Sequence, residues 1–252
     1  MTTTDQLNPY QAPKAELDMV APAMAGGSLQ DAVAGRYDFQ IGEVMSEAWR
    51  LTKGFKASFW GAAVLIYLVA LIPLALVGVI MGAMAGAAGA GGKPNLALQI
   101  VLNLVIGTLM APLTMGMFMM AVKRAAGLPV TFATAFGYFK KAPVAILAGL
   151  LVMLMTYLGI ALLVLPGIYL GLAYAMTMPL IADRDLPAWQ AMETSRKSLT
   201  HKWFRILGLY LLVCLLVGLS ALPLGIPLIW TCPWGLLVIG VLYRRIFGVT
   251  GG

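Results

Sequence analysis

Histidine and cysteine are almost missing from this chain, and charge of either sign is scarce. His201 is the only histidine, and Cys214 and Cys232 are the only cysteines. That set cannot assemble the tetrahedral ligand shell of a zinc site, and two cysteines inside apolar runs do not make a disulfide framework. Both are read as reduced packing residues. Charged residues make up 11% of the chain, where a soluble domain carries roughly 25%. A water-facing surface cannot be built from so few. Intrinsic disorder is excluded from the other direction, by a hydrophobic content of 61% and a mean hydropathy of +0.89, since disordered chains are poor in apolar residues. No Walker loop, GxSxG elbow or HExxH pair occurs.

What is present in abundance is uncharged apolar sequence. The 26 residues from Phe59 to Met84 contain no charge. As a helix they are longer than the roughly 30 Å hydrocarbon core. Leu96 to Val122 is the second such run and ends at Lys123 and Arg124. Between Lys141 and Asp183 lie 41 uncharged residues, too many for one crossing, and Leu165-Pro166-Gly167 supplies the expected break. Ile206 to Leu222 and Ile226 to Tyr243 follow, parted by a tight turn at Pro223 and Gly225. The expected fold is therefore all-α and polytopic, with six transmembrane helices arranged as three hairpins.

An amphipathic interfacial helix is expected before each hairpin. In the first, Ile41, Val44, Met45, Ala48, Thr52 and Phe55 recur at helical spacing, with Glu43, Glu47, Arg50 and Lys53 on the other side. In the second, Pro129 to Lys141, Phe132, Phe136 and Phe139 share a side. The third places Trp189, Met192, Leu199 and Trp203 near one face, with Asp185 as its cap and Glu193 and Lys197 as an i,i+4 pair. The three units begin near Ile41, Val130 and Leu186 and suggest a loose internal repeat. Residues 1–37 read as a disordered cytoplasmic tail without a signal peptide, residues 38–247 as the transmembrane domain, and residues 248–252 as a C-terminal tail.

Charge placement sets the orientation. Sixteen of the 17 Lys and Arg residues fall in alternate connections and termini on one side of this map, and Lys93 alone falls on the other. By the positive-inside rule both termini are cytoplasmic and the protein sits in a bacterial inner membrane. Trp60 and Trp203 mark the inner boundary, and Trp230 and Trp234 the outer one. The net charge of +7 is thereby assigned to topology and not to nucleic acid, for which no cytoplasmic domain exists.

The inventory for chemistry is thin. His201 is read as a solvated interfacial residue, and Asp183 and Asp185 as a helix stop and a cap. No catalytic residue, cofactor or metal ligand is assigned, and no enzyme activity is expected. Coupled carriers place ionisable groups inside the bilayer, and none of the six spans has one. Gln99 and Asn103 are the intramembrane polar candidates for a small-solute path along helix two, with Thr108, Thr114, Thr156, Thr177, Ser220 and Thr231 read as helix-joining groups. The stronger expectation is contact with anionic lipid, or with a membrane partner, through a basic cytoplasmic face. Its candidate residues are Arg50, Lys53, Lys56, Lys123, Arg124, Lys140, Lys141, Arg196, Lys197, Lys202, Arg205, Arg244 and Arg245.

The stretch Leu165-Pro166-Gly167-Ile168-Tyr169, then Pro179-Leu180-Ile181-Ala182-Asp183, Ala191, Ser195-Arg196-Lys197 and Trp203-Phe204, resembles the YciC-like integral membrane proteins of bacteria. It is also similar to the membrane domain attached to some glycerophosphodiester phosphodiesterases. The Asn8-Pro9-Tyr10-Gln11-Ala12-Pro13 segment looks like a short tag found on several bacterial membrane proteins. The resemblance implies an inner-membrane helical bundle. It implies no catalysis, because the phosphodiesterase site belongs to a separate soluble domain that this sequence does not contain.

Overall fold

The computed structural model of the chain describes residues 26–87 and 96–250, and every regular element among them is helical. Most of the expected tail, and the connection that carries Lys93, lie outside the described residues. Four helical stretches are long and apolar enough to cross a bilayer, namely Lys56–Ala83, Phe132–Leu162, Val164–Arg184 and Trp203–Ala221. A fifth is added if the bent pair Gln99–Leu109 and Ala111–Ala125 counts as one. The fold is thus all-α with four to five span-like helices, where six were expected.

The end of the expected tail is ordered by local chemistry. Helix α1, Leu29–Val33, is capped by Ser28, whose hydroxyl oxygen accepts from the Asp31 amide at 3.1 Å. Five residues are too few to display a 3.6-residue period, so the sequence pattern was silent here. Tyr37 and Phe39 beyond it are buried, and the Tyr37 hydroxyl donates to the Ser198 carbonyl at 2.7 Å.

Helix α2, Ile41–Leu51, buries the expected face through Val44 and Ala48, continued by Thr52 and Phe55 past its end. Its other side departs from expectation. Glu47 is largely withdrawn from water and Glu43, though exposed, is paired, because the C-terminal arginines of the last helix reach both. Helix α3, Lys56–Ala87, runs through Pro73, and no residue of its most apolar window is buried. It is hydrophobic all round, the pattern of a helix solvated by lipid.

Helix two of the sequence reading is two helices, α4, Leu96–Leu109, and α5, Ala111–Ala125, bent by 48° at Met110. Pro112 sits in the first turn of α5, where a missing N–H costs nothing. Two 3₁₀ turns, Phe132–Phe136 and Phe139–Lys141, replace the expected second amphipathic helix. The first of them lies so close to α5 that a side chain at Gly116 would meet the Ala135 carbonyl.

Helix α6, Ala142–Leu162, and helix α7, Val164–Ala173, meet at Leu163, whose extended backbone (φ −161°, ψ 142°) reverses the chain. The expected break at Leu165 to Gly167 is displaced because Pro166 is tolerated within the first turn of α7. Gly167 is there for another reason: a Cβ on Gly159 would lie 2.9 Å from the Gly167 Cα, so the two helices touch backbone to backbone. Helix α8, Thr177–Arg184, completes the return, and the Lys141 ammonium donates to the Ala182 carbonyl at 2.6 Å.

Asp185 does not cap helix α9, Ala188–Thr200. It adopts a left-handed conformation (φ 54°) and pairs with Lys141, while Pro187 takes the cap position. Ala191, Met192, Ser195 and Leu199 form the buried face of α9, and Trp189 points outward. Helix α10, Trp203–Ala221, and helix α11, Leu228–Phe247, are joined by a turn in which Leu224 and Gly225 both have positive φ. Helix α11 is the centre of the core. Leu237, Val238, Val241, Leu242 and Tyr243 are all buried. It is not among the span-like helices, because Thr231, Pro233 and two tryptophans interrupt its apolar run and Arg244 and Arg245 close it.

The tryptophan pattern is corrected in the same place. Trp230 and Trp234, expected at the outer boundary, lie beside the elements expected at the inner one. The Trp234 indole donates to the Met45 carbonyl, and the Trp60 indole to the Ile229 carbonyl, each at 3.1 Å.

Candidate functional site

The charged helix ends are tied to one another. Arg244 donates to the Ala125 carbonyl and to Glu47, Arg245 reaches Glu43 and Glu47, and Arg184 donates to the Phe247 carbonyl. Glu47 is only 14% exposed there. Burial pushes its carboxyl up, but the hydrogen bonds and charges of Arg245 and Arg244 outweigh this and hold it below the ordinary value. Asp183, 3% exposed, accepts from the Tyr243 hydroxyl at 2.9 Å and the Thr250 hydroxyl at 2.8 Å, and pairs with Arg184. This network explains the acid as structural.

Eight of the 13 basic candidates have such internal partners. Arg124 donates to the Leu51 and Lys53 carbonyls, and Lys141 pairs with Asp185. Arg196 and Lys197 share Glu193, Lys202 and Arg205 share Asp38, and Arg244 and Arg245 hold Glu47. The Lys202 hydrogen bond is the largest of the contacts that keep the Asp38 carboxyl below its usual value. The remaining five, Arg50, Lys53, Lys56, Lys123 and Lys140, form no salt bridge among the described residues. Lys123 instead lies 5.8 Å from the Tyr138 ring centroid.

Three of these five are gathered in one place. A pocket of about 450 Å³ is lined by Trp49, Arg50, Thr52, Lys53, Lys56 and Trp230. Helix α2 supplies Trp49 and Arg50, the turn after it Thr52 and Lys53, and the first residue of α3 Lys56. Gly54 adopts φ +79° in that turn, which a side chain would strain. Arg124 locks the turn from behind, donating to Leu51 at 3.2 Å and to Lys53 at 2.5 Å, where helix carbonyls run out of partners. Thr52 closes the floor by donating to Ala48. The Lys56 ammonium lies 5.2 Å from the Trp230 centroid, within the range of a cation–π contact. The result is a cationic recess with aromatic walls and no acid in its lining.

Two further pockets carry cations, but aspartates answer them. One holds Lys141 with Asp183 and Asp185. The other holds Lys202 and Arg205, both bound to Asp38. No protein-family model, curated protein or solved structure matches the chain.

The polar-path residues are not brought together. Gln99 and Asn103 both lie on exposed surface of α4. Thr114, Ser220 and Thr231 each donate to the carbonyl four residues back on their own helix. Thr108 and Thr177 are buried with no hydrogen-bond partner for their hydroxyls among the described residues. His201 meets the Val33 carbonyl at 3.0 Å, tying α1 to the end of α9. Among the described residues no three His, Cys, Asp or Glu side chains converge on a metal position.

Trp49 and Trp230 escaped the sequence reading as site residues. Trp49 had a usable signal, since it stands four residues before Lys53 and so on the same helical side. Trp230 had none, because only the fold of α11 against α2 delivers it.

Proposed function

We propose that the protein is a non-enzymatic component of the bacterial inner membrane, with both termini cytoplasmic, whose basic end contacts anionic lipid headgroups or a membrane partner that presents comparable charge. The observation that carries this reading is the division of the cations. Those with acidic or carbonyl partners hold the bundle together, whereas Arg50, Lys53, Lys56, Lys123 and Lys140 form no salt bridge among the described residues and are available to something outside it. Each contributes about 1 kcal/mol beside an anionic leaflet. Exposed apolar residues of α3, among them Val64, Leu65 and Leu68, follow directly after Lys56, so lipid is adjacent to the free charges. The likeness of Leu165-Pro166-Gly167-Ile168-Tyr169 to the YciC-like proteins points to the same setting. The rival, a small-solute transporter with a path along helix two, draws no support from Gln99 and Asn103 on the outside of α4.

The test is lipid retention. The protein is extracted in amphipathic polymer discs from a membrane of mixed lipids, and the disc lipid is compared with the bulk. Anionic lipid is expected to be enriched around the native chain and to fall toward the bulk value when these five cations are changed to Gln. Identical composition in disc and bulk contradicts the proposal.

A further inference from the structure

We infer that the recess of Arg50, Lys53 and Lys56 is a discrete binding site for one anionic phospholipid, its phosphate held by the three cations and an acyl chain laid in the groove on the other side of Trp49. This deepens the lipid-contact reading and rests on it, replacing a diffuse charged surface by a built site.

The charge balance comes first. Three cations line the recess, no acidic side chain does, and none of the three is in a salt bridge among the described residues. Like charges gathered this closely repel one another, and an anion placed between them removes that cost. Arg50 offers a planar fork suited to two phosphate oxygens, and the two ammonium groups act as point charges beside it. The recess is also held in shape before any ligand arrives, by Arg124 behind the turn and by Lys56 against Trp230. A preformed cradle loses little order on binding.

The second observation distinguishes a lipid from a free phosphate. Trp49 also borders a groove of about 450 Å³ between α2 and the α10–α11 pair, whose other walls include Gly42, Met45, Leu216 and Trp234. Its lining carries no charged side chain. A soluble phosphate has no use for such a groove, whereas a phospholipid presents a phosphate and an alkyl chain in this adjacency. The indoles of Trp49 and Trp230, 54% and 41% exposed, suit the junction between headgroup and chain. Basic pockets between membrane helices commonly take anionic headgroups.

The test uses the full-length protein in mild detergent, titrated with phosphatidylglycerol, phosphatidylcholine and soluble glycerol 3-phosphate, with bound species counted by native mass spectrometry. Phosphatidylglycerol is expected to bind first at one site, and the combined R50Q, K53Q and K56Q variant to weaken that site roughly a hundredfold, each cation having contributed to phosphate attraction. The K123Q and K140Q pair is expected to keep it. A groove-filling Gly42→Leu change, at a glycine with no atom within 4 Å of an added Cβ, is expected to weaken the lipid and to leave glycerol 3-phosphate unaffected. Equal losses in the recess variant and in the K123Q and K140Q pair would overturn the discrete site while leaving the broader lipid reading intact. Absence of any preference for phosphatidylglycerol over phosphatidylcholine would remove both. Glycerol 3-phosphate binding as tightly as the lipid, untouched by Gly42→Leu, would make the recess a soluble-phosphate site and overturn the lipid assignment. Should the recess variant fail to fold, acetylation footprinting of the native chain decides: phosphatidylglycerol is expected to protect Lys53 and Lys56 and not Lys140, and uniform protection overturns the inference.

Discussion

Glu47 is the residue on which the two ends of the chain meet. It accepts from Arg244 at 2.5 Å and from Arg245 at 2.9 Å in a half-dry setting. Glu47→Gln leaves two arginines facing a neutral amide, and is expected to cost about 2 kcal/mol in thermal unfolding in detergent. The pH dependence follows from the same contact. The carboxyl is held below its ordinary value, so its contribution is complete above the unfolded carboxylate range and is lost as pH falls through the folded value. Native protein is expected to lose melting temperature below about pH 4, and Glu47→Gln to lose less over the same interval. Parallel pH profiles for the two proteins would contradict this. Sequence periodicity placed Glu47 on the wet side of an amphipathic helix. It was illegible as a buried acid because the arginines that justify its burial lie at the opposite end of the chain.

Glycines offer a second residue-scale test, since the ordinary preference for Ala over Gly in a helix, about 1 kcal/mol, is reversed wherever backbone occupies the Cβ position. Gly116→Ala is expected to drive the Phe132–Phe136 turn off α5 and to lower the melting temperature, whereas Gly78→Ala, with nothing within 4 Å, is expected to hold or raise it. Equal effects would show that the 3₁₀ turn is not seated on α5.

At the scale of elements, α2 is the informative case. Its apolar spacing was fully legible, and Val44 and Ala48 are buried as that spacing requires. What spacing cannot reveal is the surface an amphipathic helix meets, and α2 meets α11 through Met45, Trp49 and Glu47. Hydrogen exchange should therefore find the amides of Ile41–Leu51 as slow as those of α11. Exchange as fast as in a helix lying free on a bilayer would contradict the packing. The uncharged runs locate α3 and α10 to within three residues at each end, their first turns extending back over Lys56 and Arg205, and the reversal between α6 and α7 lies only a few residues from its expected place, because proline is compatible with a first turn. The same apolar count predicts a span for helix α11, but Thr231, Pro233, two tryptophans and the closing arginines dilute its apolar run, and Leu237 through Phe247 are largely sheathed by protein. The Phe132, Phe136 and Phe139 spacing likewise fits a helix, but the chain there is short and clamped at both ends, and it closes as 3₁₀ turns.

For the whole molecule the decisive feature is polarity. The basic ends of α2, α5 and α11 are joined by carbonyl contacts, Lys202 after α9 pairs with Asp38 before α2, and Lys141 before α6 holds the end of α8, while exposed apolar residues cover α3, α4, α6 and α10. A charge count by connection anticipated that gathering. It did not anticipate that most of the cations would be consumed internally, because pairing depends on which acids the fold delivers. The recess was legible in its three cations and not in its walls, for the same reason.

The most direct test of this polarity is sided cysteine labelling in intact cells. With Cys214 and Cys232 replaced, single cysteines are introduced at Lys140, Thr250 and Lys93 and exposed to a membrane-impermeant maleimide. Labelling is expected at Lys93→Cys only, with Lys140→Cys and Thr250→Cys reacting after the membrane is opened. Labelling of either of those two from outside would place the basic end on the wrong side of the bilayer and contradict the account.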